Sequence, residues 1–293
     1  MILLTLFFLV LLLIFPEIVS DAVADTLFIC LKDIIPTLFP FSVISGLLVR
    51  LSGNISFPPL LLSARLFNIS EKSVWALISG LLCGYPIGGR LALMLYEAGE
   101  ITEAEKDRLL IFANLPGPGF IIGLVGASLL GNIKAGAVIY LSLVAVSLIF
   151  GLATRKKSKA TKIIPVHKKE KKPFLPLLLK SITEATQSVI TICGVICFFS
   201  AVTEALRLLP LSVLPFYDFL LGMLEITGGV YSVCAFPISL KLKASLCAFL
   251  TGFSGICVLM QLKSVSDKIK SAAYILNKLL FGALCALITF ILM

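Results

Sequence analysis

The sequence predicts an all-α polytopic membrane protein made of two inverted repeats with re-entrant or broken helices, about seven crossings plus two re-entrant segments. Three observations predict it. Of the 293 residues, 59% are hydrophobic and 14% charged, whereas soluble domains carry about 45–50% apolar residues. Apolar runs recur at the length a membrane helix needs, about 20 residues. A single basic stretch divides those runs into two sets whose interruptions match in kind and order. The expected parts are an N-terminal helix over 1–24, a first repeat over 25–154, a basic cytoplasmic loop over 155–173 and a second repeat over 174–293.

Taken in order, the run 1–16 lacks a basic n-region and an A-x-A cleavage site, so it reads as an uncleaved helix rather than a signal peptide. Further runs cover 26–49, 74–96, 109–130 and 133–153, then 183–209, 217–240, 244–262 and 272–293. Thr102 and Glu105 have capping-box spacing and start a helix at about 103. The turn signal "NLPGPG" stops that helix at Asn114. Trp75 and Tyr96 stand near the two ends of their run as interfacial anchors.

Residues 155–172, "RKKSKATKIIPVHKKEKK", hold nine Lys or Arg against one Glu and supply most of the formal net charge of +9. Between apolar spans, such a run reads as a positive-inside loop held by anionic lipid, not as a grip for nucleic acid. With that loop and the N-terminus inside, Glu17, Asp21 and Asp25 fall outside, while Arg50, Arg65 and Lys72 fall inside. The run 74–96 then leads outward to "EAGEITEAEKD", five acids and one Lys. One of the next two runs must be re-entrant. The better candidate is 109–130, since neither arm beside "NLPGPG" covers about 30 Å of hydrocarbon at 1.5 Å per residue. In the second half, a re-entrant 244–262 keeps Lys241, Lys243, Lys263, Lys268 and Lys270 inside. The alternative, a re-entrant 74–96 with the acidic loop inside, also preserves the inversion and stays open.

The interruptions are where chemistry is expected. "GYPIGGR" at 84–90 aligns with "LEITGG" at 224–229, and "NLPGPGFIIG" at 114–123 with "LTGFSGICVL" at 250–259. Unwound backbone at membrane depth must be buried in protein or line a wet cavity. One such cluster reads most simply as close helix packing; four at matched positions read as a solute site. Half-helix N-termini favour an anion there and freed carbonyls a cation. The candidate solute-binding residues are Gly84, Tyr85, Gly88, Gly89, Arg90, Asn114, Gly117 and Gly119 in the first half. Glu225, Thr227, Gly228, Gly229, Ser254 and Gly255 are their counterparts in the second. A carboxylate within an apolar segment is functional by default, so Glu225 is expected to carry a proton, bind a cation or accept a hydrogen bond from the solute, against a structural pairing with Arg90. Glu204 and Arg207, three residues apart, read as a local ion pair.

No catalytic residue, cofactor or metal is expected. His167 is the only histidine and lies in the basic loop, and the eight cysteines are scattered without a CxxC and read as small core residues. An intramembrane hydrolase is disfavoured, since no nucleophile and base can be paired without a membrane histidine and Tyr85 stands where a second carboxylate would match Glu225.

The elements "GYPIGGR", "NLPGPGFI", "LEITGG" and "TGFSG" resemble the Gate-domain (nucleoside-recognition) family, and within it the YlbJ-type sporulation integral membrane proteins. The resemblance covers about residues 25–150 and 180–290. It implies a fold like the core of concentrative nucleoside transporters and the membrane part of ferrous-iron transporters. It also implies a place in the bacterial cytoplasmic membrane and a link to moving dipicolinic acid into the developing spore. Cys83 and Gly89 depart from the family's usual Ser and Ala. The function expected is transport of a small organic anion or heterocycle by alternating access, with a proton or cation as coupled partner. A non-transporting scaffold of a sporulation or envelope complex is the rival, and homo-oligomerisation is left open.

Overall fold

The computed structural model describes residues 2–51, 58–155, 173–209 and 216–293. All regular structure among them is helical: α1 Ile2–Ile14, α2 Pro16–Ile29, a π-helical turn Cys30–Ile34, α3 Ile35–Leu51, α4 Pro58–Phe67, α5 Glu71–Cys83, α6 Ile87–Glu97 and α7 Glu103–Phe112. There follow a π-helical arm Gly119–Leu129, α8 Ile133–Ala153, α9 Phe174–Arg207, α10 Tyr217–Gly222, α11 Ile226–Ala235, α12 Leu240–Phe253, α13 Gly255–Lys263 and α14 Ser271–Leu292. Of the expected basic loop, all but Arg155 and Pro173 lies outside the described residues.

The starts are set by local chemistry. Ser70, Thr102, Asn132 and Ser239 cap α5, α7, α8 and α12, each accepting from the backbone N–H three residues on. Thr102 therefore starts α7 where its spacing with Glu105 predicts, although Glu105 spends its carboxylate on Ser70 N and Ser73 Oγ. Pro16 opens α2, where its missing N–H costs nothing.

Among the described residues, four helices are long and apolar enough to cross a membrane: Ile133–Ala153, Phe174–Arg207, Leu240–Lys263 and Ser271–Leu292. A fifth is counted if Thr5–Ile14 and Pro16–Lys32, bent by 97°, form one span. Seven crossings were expected. The difference arises because three of the expected crossings, 26–49, 74–96 and 217–240, are broken into shorter helices, among them Leu38–Leu51 and Ile226–Ala235, while Leu240–Lys263, expected to be re-entrant, is long enough to cross. Glycine contacts set the neighbours: a Cβ on Gly126 would lie 2.6 Å from Gly136 Cα, and one on Gly252 would lie 3.0 Å from Gly282 Cα. The arm 119–129 therefore lies against α8, and α12 against α14.

Two segments fold back on themselves. A Cβ on Gly88 would fall 2.8 Å from Gly80 Cα, and one on Gly229 would fall 2.2 Å from Gly222 Cα. In a continuous helix, residues seven or eight apart stand about 10–12 Å apart, so α5–α6 and α10–α11 are hairpins. This corrects the preferred sequence reading: 71–97 turns back, while 103–129 runs on through its break and Leu240–Lys263 spans as one element. The two ends of the bundle confirm it. Lys268 pairs with Glu97 (2.9 Å), Lys270 with Glu103 (3.0 Å), and Arg108 donates to Phe67 O and Thr154 Oγ1. The acidic loop and the start of the basic loop thus share one end. At the other end, Arg207 pairs with Glu204 and with Asp218 (3.0 Å), and donates to Ser232. Lys241, placed over the Phe290 ring, and Lys243, bonded to Cys234 O, belong at that second end, not with Lys268 and Lys270.

The clasp at the first end responds to pH. A hydrogen bond from Ser266 and the Lys268 ammonium hold the Glu97 carboxyl below the usual carboxylate range, and Lys270 does the same for Glu103. A carboxyl depressed in the fold contributes stability that is present above its unfolded value and lost as pH falls through its folded value. Amide exchange across 264–270, corrected for its intrinsic pH dependence, is expected to rise in that acid window, and Glu97→Gln should shrink the step, leaving the part that Glu103 and Lys270 contribute.

Candidate functional site

The tip of the first hairpin lies against the break between α7 and the π-helical arm. Gly84 adopts φ +88°, and a Cβ there would stand 2.4 Å from Gly117 N, so only glycine fits on both counts. Ala113 O lies wedged between Gly80 and Gly88, 1.7 and 1.9 Å from where their Cβ atoms would be. Gly89 leaves room for Asn114, whose Oδ1 would sit 3.1 Å from an added Cβ. In the second half a tip also lies against a break, held by different bonds. Ser254 (φ +73°) and Gly255 (φ +70°) break α12 from α13. The N–H groups of Ile256 and Cys257 then donate to Met223 O and Leu224 O of the second tip, both at 2.9 Å.

The two tips meet. Tyr85 from the first and Leu224 and Ile226 from the second pack with Phe199, Cys257 and Val258 in one apolar cluster. Beside it lies a polar patch. Asn114 Nδ2 donates to Tyr274 OH (3.3 Å), and Lys278 Nζ donates to Asn114 O (2.6 Å). Tyr85 OH and Asn114 Oδ1 are buried with no hydrogen-bond partner, an omission folded proteins rarely tolerate without a ligand or water.

Glu225 is buried at 5% exposure and caps its own helix, its carboxylate accepting from Thr227 N (2.8 Å) and Gly228 N (2.6 Å). Carboxylate and helix N-terminus neutralise each other, so the α11 N-terminus is not open to an anion. The α13 N-terminus is likewise taken by the tip carbonyls. Glu225→Ala is expected to lower stability by about 1–2 kcal/mol, the range for loss of a side-chain cap, read as a lower melting midpoint in detergent; Glu225→Asp should restore part of it.

The expected candidates therefore separate. Gly84, Tyr85, Gly88, Gly89, Asn114 and Gly117 gather at the first tip and break, and Glu225, Thr227, Gly228, Gly229, Ser254 and Gly255 at the second. Gly119 stands exposed, with nothing within 4 Å of where a Cβ would be. Arg90 turns to α9: it donates to Glu184 O (2.6 Å) and stands 4.0 Å from the Glu184 carboxylate that Arg50 grips at 2.6 Å. A cavity of ≈ 20 Å³ opens there, lined in part by Ser42, Arg50, Arg90 and Ser181, room for about one water. Arg90 does not pair with Glu225. Sequence reasoning missed Tyr274 and Lys278, although Lys278 is the one charge inside the apolar run 272–293. Among the described residues, no group of three or more His, Cys, Asp or Glu could hold a metal ion.

The chain is similar to the sporulation integral membrane protein YlbJ of Bacillus subtilis (strain 168), 27% identical over 301 aligned residues that cover 88% of this chain and 74% of the relative. No family model matches the chain, and no solved structure does. The similarity marks a distant homologue of that protein, and with the candidate spans it makes the chain a multi-pass integral membrane protein.

Proposed function

We propose that this distant homologue of a sporulation membrane protein is a secondary transporter, or transporter-like permease, for a small organic anion or heterocycle, working by alternating access. One observation carries the reading: two folded-back tips meet two breaks, one between α7 and the π-helical arm and one between α12 and α13, and polar atoms of Tyr85 and Asn114 are left there without partners. The hairpins open at opposite ends of the bundle, the first beside Glu97 and the second beside Arg207. That opposition supports inverted, Gate-like repeats, the arrangement in which transporter sites lie between the repeats. With the positive-inside rule applied to Arg155 and the residues after it, the Glu97 end faces the cytoplasm. Arg50 and Arg90 then line the cytoplasmic approach and favour an anion.

Dipicolinate as the solute rests on the family resemblance and on the relative's role in sporulation. The scaffold reading has its own support in the close Gly84–Gly117 packing, which shuts the first tip. Reconstituted vesicles separate the two. Uptake of labelled benzoate, dipicolinate and a nucleoside panel is expected to exceed empty vesicles by about tenfold for at least one solute, the scale of one good binding contact. Vesicles holding folded protein and taking up none of them would leave the scaffold.

A further inference from the structure

Lys278 is fully buried, at 0% exposure. Its ammonium could donate three hydrogen bonds, and the protein gives it Asn114 O at 2.6 Å and the face of the Phe281 ring at 4.8 Å. Among the described residues, no carboxylate lies within 4.0 Å of it. The titratable groups on the elements packed around it do not supply one. On α14 these are Tyr274 and Cys285, on α8 Tyr140, which donates to Leu81 O, and on α12 Cys247, which contacts Cys234. The carboxylates of α7 are engaged elsewhere: Glu103 and Asp107 with Lys270, and Glu105 with Ser70 and Ser73. Lys106 of α7 turns to Asp107 and to Lys268 O. A buried charge without a counter-charge is among the costliest arrangements a protein can hold.

The groups beside Lys278 suit a carboxylate. Tyr274 OH accepts from Asn114 Nδ2, so its own proton is free to donate. The Tyr85 hydroxyl, unpartnered and within electrostatic reach of Cys257, of the Glu225 carboxylate and of Tyr274, offers a second proton; Glu225 itself is held by the Thr227 and Gly228 N–H groups. Asn114 Oδ1 remains to accept from a solute N–H or hydroxyl.

We infer that Lys278 is the carboxylate-binding and proton-accepting group of the central site: an organic anion entering at the Asn114 break pairs with the Lys278 ammonium, and the lysine takes up one proton as the anion binds. The step balances without a covalent change. The neutral amine, one proton from water and one carboxylate become an ammonium–carboxylate pair, so anion and proton occupy the site together with no net charge added. This deepens the transport reading, on which it rests for the route by which the anion arrives. It also moves proton coupling from Glu225, whose carboxylate is held by two backbone N–H groups, to a residue that gains its charge and its partner together when the anion binds.

The test is calorimetric titration of the purified full chain in detergent with benzoate, repeated in buffers of different ionisation enthalpy. Wild type should take up about one proton per benzoate bound, the stoichiometry of a single linked group. Lys278→Met should lose both the binding and the uptake. Asn114→Asp supplies a fixed carboxylate beside the ammonium, so it should also abolish benzoate binding, while the melting midpoint holds or rises. Asn114→Asp keeps the test alive if Lys278→Met does not fold. Absence of benzoate binding in wild type, binding without proton uptake, or unchanged binding and uptake in Lys278→Met would each overturn the inference. Proton-linked binding in a protein that moves no solute in vesicles would uphold the inference and remove the transport reading instead.

Discussion

Replacing Gly88 with alanine is expected to remove the folded protein from the membrane. The new methyl would stand 1.9 Å from Ala113 O and 2.8 Å from Gly80 Cα, and both are backbone, so no side chain can turn aside. Overpacking of this kind costs about 1–3 kcal/mol where neighbours can yield and more where they cannot. The position is a three-way crossing of α5, α6 and the Ala113 carbonyl, so a shift that relieves one contact worsens another. The expected readout is a loss of monodisperse protein after extraction, or a melting midpoint lowered by several degrees; Gly119→Ala, beside open space, serves as control and should leave both unchanged. Normal folding of Gly88→Ala would mean that the first hairpin does not close as described.

On the proposed transport reading, Tyr85→Phe is expected to do the opposite, lowering uptake without harming the fold. The hydroxyl is buried and unpartnered, and such a group costs about 1–3 kcal/mol in an otherwise closed site. Its removal should leave the melting midpoint unchanged or raise it. If the hydroxyl binds solute, the same change removes a hydrogen bond worth about 0.5–1.5 kcal/mol, or about 1.5–3 if the solute carries charge, which is about tenfold in uptake at the upper end of the neutral range. A purely structural Tyr85 could not produce that combination. Uptake equal to wild type would take the hydroxyl out of the site.

Much of the arrangement could be read from residue order. The double glycines at 88–89 and 228–229 and the two later interruptions mark the tips and breaks the structure brings together, because only glycine and proline make such interruptions at low cost. Which segment folds back was harder to read. The decisive contacts, Gly80 with Gly88 and Gly222 with Gly229, are close approaches between backbones, and hydropathy carries no trace of them. Loop charge misled as well: three of the five acids of 97–107, Glu97, Glu103 and Asp107, meet Lys268 and Lys270 from the opposite half of the chain, so charge complementarity overrode the simple sorting of acids to the outside. Glu225 was marked as costly, but its partners are the N–H groups two and three residues ahead, a cap that its place just before a helix could have suggested. Lys278 went unnoticed because a single lysine hardly changes the mean hydropathy of a long apolar run.

The break at Ser254 has one more consequence. A left-handed conformation costs a non-glycine residue about 1–2 kcal/mol, and here it aims the amides of Ile256 and Cys257 at the carbonyls of Met223 and Leu224. If the second tip withdraws, those amides lose their acceptors at the same moment that Ser254 loses its reason to stay wound the wrong way. Retraction of the tip and rewinding of the span are therefore one event, and a probe attached to either should report the same rate.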